Sequence, residues 1–393
     1  MKKLSQFVLE MDESVTLAAA NRAKALKAEG KDIIDLTLGQ PDFPTPQKIC
    51  AAAIDSIKNG KASFYTQAGG LPELKAAVQR YWTKFYGYDI TPSEILITSG
   101  AKFALYAYFM ATLDADDEVI IPAPYWVSYV DQVKMAGGTP VIIEAKQENK
   151  FKVTVEQLEN ARTARTKILL LNSPSNPTGM IYSKAELQTI GEWAVANDLL
   201  ILADDIYHRL VYNGAEFTAI SSLSEDIRSR TTVINGASKT FAMTGWRIGA
   251  AVGDPEIIAA MTKIASQTTS NPTAVAQYAT IEAFQGGDTD FNQMHEAFEN
   301  RLNTIFPQLN AIPGFETIKP NGAFYLFPKV TEAMKIKGFT DVTDFTTAIL
   351  EEAGVALVTG AGFGAPENVR LSYATSLENL EAAVQRIREW MTK

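Results

Sequence analysis

The chain has 393 residues, a formal net charge of −9 and a sequence pI near 5.0, with 46% hydrophobic and 21% charged residues. Nonspecific nucleic-acid binding needs a cationic surface, so this charge argues against it. The length exceeds that of a typical single domain and predicts two domains. No apolar run is long enough to span a bilayer, and residues 1–11 lack a continuous apolar stretch, so we expect a cytoplasmic protein without a membrane segment.

The counts of cysteine and histidine narrow the possible chemistry. A single cysteine, Cys50, excludes an intrachain disulfide and a multi-cysteine metal site. The two histidines, His208 and His295, stand in no recognisable ligand spacing, so we expect no metal. Acid/base chemistry would then fall to lysine, tyrosine or carboxylate groups.

The middle of the chain alternates short apolar runs with helical periodicity, which is typical of a parallel sheet with crossover helices. Helices are predicted between several of the strands, for example over 184–197. The predicted strands are 94–98, 118–122, 140–144, 167–172, 199–204, 231–235 and 248–253.

The C-terminal part has a different pattern, which predicts a second domain. A long helical stretch runs from about residue 271 to about residue 309, two more strand-like pieces follow, and an amphipathic helix covers 377–392. We therefore divide the chain into a large domain, 46–285, and a small domain formed by 1–45 and 286–393.

Polar segments rich in glycine and proline begin where predicted strands end, at the edge where open α/β sheets bind ligands. The segment 98–102 follows one strand and opens a helix, whose free N–H groups suit a phosphate, although small residues at a helix start are more commonly only a helix cap. The segment 172–179 follows another strand, and its two prolines and terminal glycine predict a rigid loop that orients Asn176.

Two further strand ends carry ionisable residues. Asp204 ends an apolar strand, and a carboxylate that emerges from a buried strand needs a cationic partner or good hydrogen-bond donors. A protonated pyridine nitrogen would be one such partner. Lys239 follows the next strand, where burial favours the neutral amine needed for a Schiff base, and Arg247 lies eight residues on. Together these groups predict one ligand with an aldehyde, a ring nitrogen and a phosphate, which is pyridoxal 5′-phosphate (PLP).

Three motifs in this order resemble those of the class I aminotransferases, which have PLP fold type I, and especially the bacterial aspartate aminotransferases of the Ib-type branch. They are NSPSNPTG at 172–179, D-x-x-Y at 204–207 and SK-x-x-A-M-T-G-W-R-I-G at 238–249, and the likeness extends over 38–375. The resemblance implies an α/β fold. Its large domain would hold a mostly parallel seven-stranded sheet between helices, and a smaller α/β domain would come from the N- and C-terminal segments.

The resemblance also implies the roles of the cofactor-binding residues. Lys239 would form the Schiff base with PLP and shuttle protons, and Asp204 would pair with the pyridinium. Asn176 and Tyr207 would hydrogen-bond the phenolic oxygen, and Trp126 would stack on the ring. The phosphate would be held by Gly100, Ala101, Arg247 and, from the neighbouring subunit of a homodimer, Tyr65.

For the substrate, the resemblance implies that Arg370 binds the α-carboxylate with help from Gly39 and Asn176. A distal carboxylate would meet Lys102, with hydroxyl groups from Ser14 and Thr16 in support. The implied reaction is a ping-pong transfer of the amino group between an amino acid, with aspartate expected, and 2-oxoglutarate.

Alternatives remain open at this stage. They are an aminotransferase for aromatic, alanine or prephenate-type substrates, a PLP-dependent C–S lyase, and a non-enzymatic regulatory protein. The chain also departs from many relatives at Gly236, three positions before Lys239, where they have a hydroxyl residue. The phosphate contact of that hydroxyl would be missing or made by Ser238.

Overall fold

The structure is a computed structural model that describes residues 4–5, 8–9, 11 and 15–393. Most of its strands belong to one large sheet. The strands are β1 Ile34–Asp35, β2 Ile95–Thr98, β3 Glu118–Ala123, β4 Thr139–Glu144, β5 Thr166–Asn172, β6 Leu200–Asp204, β7 Thr231–Gly236, β8 Gly249–Val252, β9 Tyr325–Leu326, β10 Val355–Ala356, β11 Val358–Thr359 and β12 Val369–Ser372.

The large sheet has seven strands in the order β2-β8-β7-β6-β5-β3-β4. The pairs β3–β4, β3–β5, β5–β6 and β6–β7 are parallel, whereas β8 runs antiparallel to both of its neighbours. All seven predicted strands are therefore confirmed, each to within one residue at either end. The carboxyl ends of β5, β6 and β7 lie side by side at one edge of the sheet, where a ligand site is expected.

Helices cover the large sheet on both faces, as the predicted α/β fold requires. In β2, Ile95 and Ile97 pack into one apolar core and Leu96 into another, and all three are fully buried. This alternation follows from the two-residue repeat of a strand, and burial on both faces explains the continuous apolar runs in the sequence.

The helices differ widely in length. They are Val15–Ala28, Gln47–Lys58, Pro72–Tyr86, Ala101–Thr112, Ser128–Met135, Val155–Ala161, Lys184–Ala196, Glu225–Ser229, Pro255–Thr268, Ala274–Gln285, Thr289–Asn310, Thr331–Lys337, Val342–Ala348 and Leu377–Thr392.

The C-terminal part forms its own sheet and core. Strands β11, β12 and β9 make an antiparallel sheet in that order, and β1 pairs with β10 in parallel. The predicted long helical stretch to residue 309 is wrong as one element, because Gly286 and Gly287 separate the helices Ala274–Gln285 and Thr289–Asn310. The two strand-like pieces predicted after the segment 322–328 are three short strands, β10, β11 and β12. The domain boundaries stay a prediction.

The structure contains no helix long and apolar enough to cross a membrane within its described residues. Across the same residues, no group of three or more His, Cys, Asp or Glu side chains could hold a metal ion.

Candidate active site

A cavity of about 330 Å³ opens at the carboxyl edge of the large sheet and reaches the C-terminal sheet. It brings together residues from widely separated segments of the chain. Of the residues predicted from sequence, it is lined by Thr16, Gly39, Ala101, Lys102, Trp126, Asn176, Asp204, Tyr207, Lys239, Arg247 and Arg370.

One end of the cavity is built for an anion. Gly100 caps the helix that begins at Ala101, and its φ of 91° lies in the left-handed region that favours glycine. A Cβ on Gly100 would lie 2.1 Å from Nη2 of Arg247, so the guanidinium closes directly over the helix start. The positive end of the helix and a cation therefore meet at one point, which suits a phosphate.

Asp204 is the last residue of β6 and is buried. Its Oδ2 accepts a hydrogen bond from the Tyr129 hydroxyl at 2.6 Å, and its Oδ1 accepts one from the Ile206 N–H at 3.3 Å. Burial raises the pKa of this carboxyl to about 6, against the opposing effects of both hydrogen bonds and the Lys239 charge. The group is thus mostly ionised at neutral pH and can accept a cationic partner.

The loop after β5 is tied to the same strand end. Asn172 donates from Nδ2 to the Asp204 carbonyl oxygen at 2.7 Å, and its Oδ1 accepts from the Asn176 N–H at 2.8 Å. The predicted rigid loop thus fixes Asn176, whose Oδ1 accepts from Arg370 at 3.0 Å.

Lys239 lies just beyond β7, and its Nζ donates to the carbonyl oxygen of Gly39 at 2.5 Å. Burial lowers the pKa of this amine to about 8, with Arg247 and Arg370 adding to the effect and Asp204 opposing it. A substantial fraction of the amine is therefore neutral slightly above neutral pH, as a nucleophile or base requires.

Arg370 lies on β12 and is held from several sides. Besides its bond to Asn176, it donates from Nη2 to the Thr37 carbonyl oxygen at 2.7 Å. Its Nε is buried and has no acceptor within the part of the chain that the structure describes. Burial lowers the pKa of the guanidinium, which nevertheless stays charged, so the site holds a buried cation that a carboxylate would pair.

Lys102 lies in the first turn of the helix Ala101–Thr112, with Nζ 4.8 Å from the centroid of the Trp126 ring. Burial and the nearby Arg247 lower the pKa of this amine. Lys102 and Thr16 both line the cavity, whereas Ser14 lies outside the described residues.

Tyr65 does not line this cavity, and 90% of its side chain is exposed. Its predicted contact is with the phosphate of a neighbouring subunit, so that assignment stays a prediction.

Sequence reasoning missed two tyrosines of the site. Tyr129 supports Asp204 and lies three residues after Trp126, whose carbonyl oxygen accepts from the Tyr129 N–H at 3.0 Å, so its closeness in sequence to Trp126 offered a signal. Tyr325 shares a 2.8 Å hydrogen bond with the Tyr207 hydroxyl, and its local sequence offers no comparable signal.

The fold and the cavity define an α/β enzyme with a lysine-centred site for anionic ligands. A family model, aminotransferase class I and II, matches residues 31–387. An asparagine–oxo-acid transaminase of Streptococcus mutans is 63% identical over 393 residues, which cover 100% of both chains. An aspartate aminotransferase of Geobacillus stearothermophilus is 52% identical over 389 residues, covering 99% of both.

A solved structure agrees with this assignment. The aspartate aminotransferase of Thermus thermophilus, solved with maleate, matches with a TM-score of 0.93 at 39% identity, covering 99% of this chain and 100% of that one. The chain belongs to the class I and II aminotransferase family, and it is an aminotransferase.

Packing explains the departure at Gly236. A Cβ there would lie 2.8 Å from the Ile248 carbonyl oxygen and 3.1 Å from the Gly249 Cα. Both are backbone atoms, so this chain has no room for the hydroxyl side chain. Ser238, which lines the cavity, is the nearer candidate for that contact.

We predict that Gly236→Ser lowers the free energy of unfolding by about 1–3 kcal/mol through overpacking. Urea denaturation of the purified variant measures the change. The matched control is Gly245→Ala, because a Cβ on Gly245 would meet no heavy atom within 4 Å. Equal midpoints for both variants would contradict the packing explanation.

Proposed function

We propose that the protein uses PLP bound to Lys239 to move the amino group between aspartate and 2-oxoglutarate in a ping-pong reaction. The observation that carries the proposal is the single cavity in which Lys239, Asp204, Arg247 and Arg370 meet. No one of these residues would suffice, but their combination matches both an anionic cofactor and a carboxylate-bearing substrate.

The residues at the strand ends fit PLP. The Gly100 helix start and Arg247 form a cradle for its phosphate, which a Cβ on Gly100 would fill. Asp204 is a buried carboxylate for its ring nitrogen, and Lys239 is an amine with a lowered pKa for its carbonyl. When bound, PLP supplies a carbonyl that condenses with amines and a ring that withdraws electrons from the substrate Cα.

The chain's own groups would then hold the substrate and move the proton. Arg370 would bind the α-carboxylate through its guanidinium, which Asn176 and Thr37 already orient. Lys239 would take the proton from the substrate Cα and deliver it two atoms along, to the carbon of the PLP carbonyl, since the pKa of its amine is lowered to about 8. The Asp204 carboxylate would stabilise positive charge on the ring nitrogen during this transfer.

Lys102 supports an acidic substrate, because it adds a cation to the cavity beyond Arg370, which would bind the α-carboxylate, and Arg247, which would bind the phosphate. Relatives from Geobacillus stearothermophilus and Bacillus subtilis carry the name aspartate aminotransferase. The match to a structure solved with maleate, a dicarboxylate, supports the same substrate class.

Asparagine is a second candidate donor, favoured by the Streptococcus mutans relative with 63% identity. An ammonium group can donate to an amide oxygen as well as to a carboxylate, although the charged pair is the stronger one. Lys102 thus accommodates both side chains and favours aspartate.

The proposal includes a cytoplasmic homodimer. An exposed Tyr65 fits a residue that serves the site of a second subunit, and the acidic composition suits a cytoplasmic enzyme.

We predict that Lys239→Ala, mixed with PLP, lacks the visible absorption band of a lysine-bound cofactor and transfers no amino group. Lys263→Ala, which changes a lysine outside the cavity, should retain both. Turnover by Lys239→Ala with an intact band would refute the assignment of Lys239.

The rate at which PLP binds to the cofactor-free protein should rise with pH. Because the pKa of Lys239 is lowered to about 8, its neutral fraction increases roughly tenfold between pH 7 and pH 9. Stopped-flow measurement of the visible band follows this rate. A rate that falls over the same interval would contradict the lowered pKa.

We predict that Lys102→Ala lowers kcat/KM for aspartate and glutamate at least about tenfold, because a charge-assisted hydrogen bond contributes roughly 1.5–3 kcal/mol. The value of kcat/KM should be nearly unchanged for alanine and phenylalanine. For asparagine the decrease should lie between those of the two groups. Steady-state kinetics measure all five substrates. Lys134→Ala, an exposed lysine on the helix Ser128–Met135, is the control. An equal loss for every substrate would make Lys102 a structural or phosphate-site residue.

Mixing Tyr65→Ala with Lys239→Ala should restore up to about a quarter of wild-type activity, because half of the dimers are hybrids with one intact site. Subunit exchange is verified by native mass spectrometry. No recovery after complete exchange would place Tyr65 in the site of its own subunit.

A further inference from the structure

We propose that Tyr325 is a positioning residue, which orients the Tyr207 hydroxyl through its own hydroxyl and seats the Arg370 guanidinium on its ring. This inference rests on the proposed function for the roles of Tyr207 and Arg370. Tyr325 lies on β9, is fully buried by its surroundings and lines the cavity. It therefore borders the cavity from the C-terminal sheet.

The hydroxyls of Tyr207 and Tyr325 each have one proton to donate. The oxygens of Tyr207 and Tyr325 are 2.8 Å apart, and either could be the donor. A Tyr207 hydroxyl that donates to Tyr325 has no proton left for the phenolic oxygen of PLP. When Tyr325 donates instead, the Tyr207 proton is free for that oxygen, and each bond of the chain strengthens the other. The hydroxyl of Tyr325 thus makes Tyr207 a better donor.

The ring of Tyr325 lies against Arg370. Its guanidinium carbon lies 4.6 Å from the centroid of the Tyr325 ring and 5.0 Å from that of Phe363. Contact with an aromatic face stabilises a desolvated guanidinium, and it also fixes the orientation of the guanidinium plane. The guanidinium also donates hydrogen bonds to the Asn176 side chain and to the Thr37 carbonyl oxygen. Ring and acceptors together set the direction in which Arg370 meets a carboxylate.

A third contact links Tyr325 to the catalytic lysine. A Cβ on Gly39 would lie 2.7 Å from the Tyr325 hydroxyl oxygen, so this oxygen packs directly against the Gly39 backbone. The Gly39 carbonyl oxygen accepts the hydrogen bond of Lys239. One side chain thereby fixes the spacing between the carboxylate-binding arginine, the Tyr207 hydroxyl and the partner of the lysine.

Two variants separate the hydroxyl from the ring. Tyr325→Phe removes only the hydroxyl, and Tyr325→Leu removes both. Tyr212→Phe is the matched control, since Tyr212 is a buried tyrosine of the same apolar core that does not line the cavity. Isothermal calorimetry with maleate measures carboxylate binding, and titration of the visible band of the PLP-loaded protein measures its pH midpoint.

For Tyr325→Phe we expect maleate affinity within about twofold of wild type, because the ring remains. The midpoint of the visible band should rise by about half a pH unit, since a weaker donor at Tyr207 stabilises the phenolate less. The value of kcat should fall about tenfold with KM changed less than about threefold. Asp204, Arg247 and Arg370 also face Lys239, but they are present in every variant.

For Tyr325→Leu we expect the Kd for maleate to rise about tenfold in addition, since Arg370 loses its aromatic seat. Three outcomes would overturn the inference. They are an unchanged band midpoint in Tyr325→Phe, an unchanged Kd in Tyr325→Leu, or equal changes in Tyr212→Phe, which would make Tyr325 a core residue only. Failure of the proposed function is distinguishable, because the wild-type protein would then lack amino transfer.

Discussion

The chemistry of the site depends on holding a lysine amine where its charge is disfavoured. Lys239 is desolvated and shares the cavity with Arg247 and Arg370, both of which oppose its protonation. The Gly39 carbonyl oxygen and the Asp204 carboxylate act in the opposite direction. The balance leaves the pKa near 8, so a modest change in the surrounding charge decides whether the amine carries a proton.

The topology of the sheet makes this balance possible. Because β5, β6 and β7 are parallel neighbours, Asn172, Asp204 and the segment leading to Lys239 emerge at one edge. Strand β12 and the Thr37–Gly39 segment add Arg370 and the carbonyl partners from outside this sheet. Lys239 donates to the Gly39 carbonyl oxygen and Arg370 donates to Asn176, so each of these buried cations has a partner in the other part of the chain. The site is therefore complete only when both parts are packed together.

The sequence was informative where burial imposes a pattern. Six of the seven strands of the large sheet are mostly buried, whereas the edge strand β4 is largely exposed or half-buried. Burial on both faces gives continuous apolar runs that are easy to recognise, and several of these strands are followed by chemically conspicuous residues. The helix break at Gly286 was missed because the flanking residues keep a helical pattern. The two-residue strands β9 and β10 are too short to show any period, since their pairing depends on tertiary contacts.

The residues of the candidate site divide in the same way into those with a local sequence signal and those without one. Lys239, Asp204 and Arg370 are ionisable groups in distinctive motifs, and the cavity brings them together. Tyr325 acts through partners that are distant in sequence, with 118 positions separating it from Tyr207. A single sequence carries no signal of such a contact, so a residue like Tyr325 could be identified only from the structure.

Arg370 and Lys102, the two cationic side chains proposed to bind the substrate, differ in how firmly the protein holds them. This difference bears on substrate specificity. Arg370 is fixed by two acceptors and two aromatic rings, so it presents one geometry to a carboxylate. For Lys102, the contact found for the amine is with the face of Trp126, and its stem has four rotatable carbons. A flexible donor selects for charge but only weakly for shape. Under the proposed function, strict recognition of the α-carboxylate therefore goes together with tolerance at the distal group, which accounts for both aspartate and asparagine as candidate donors.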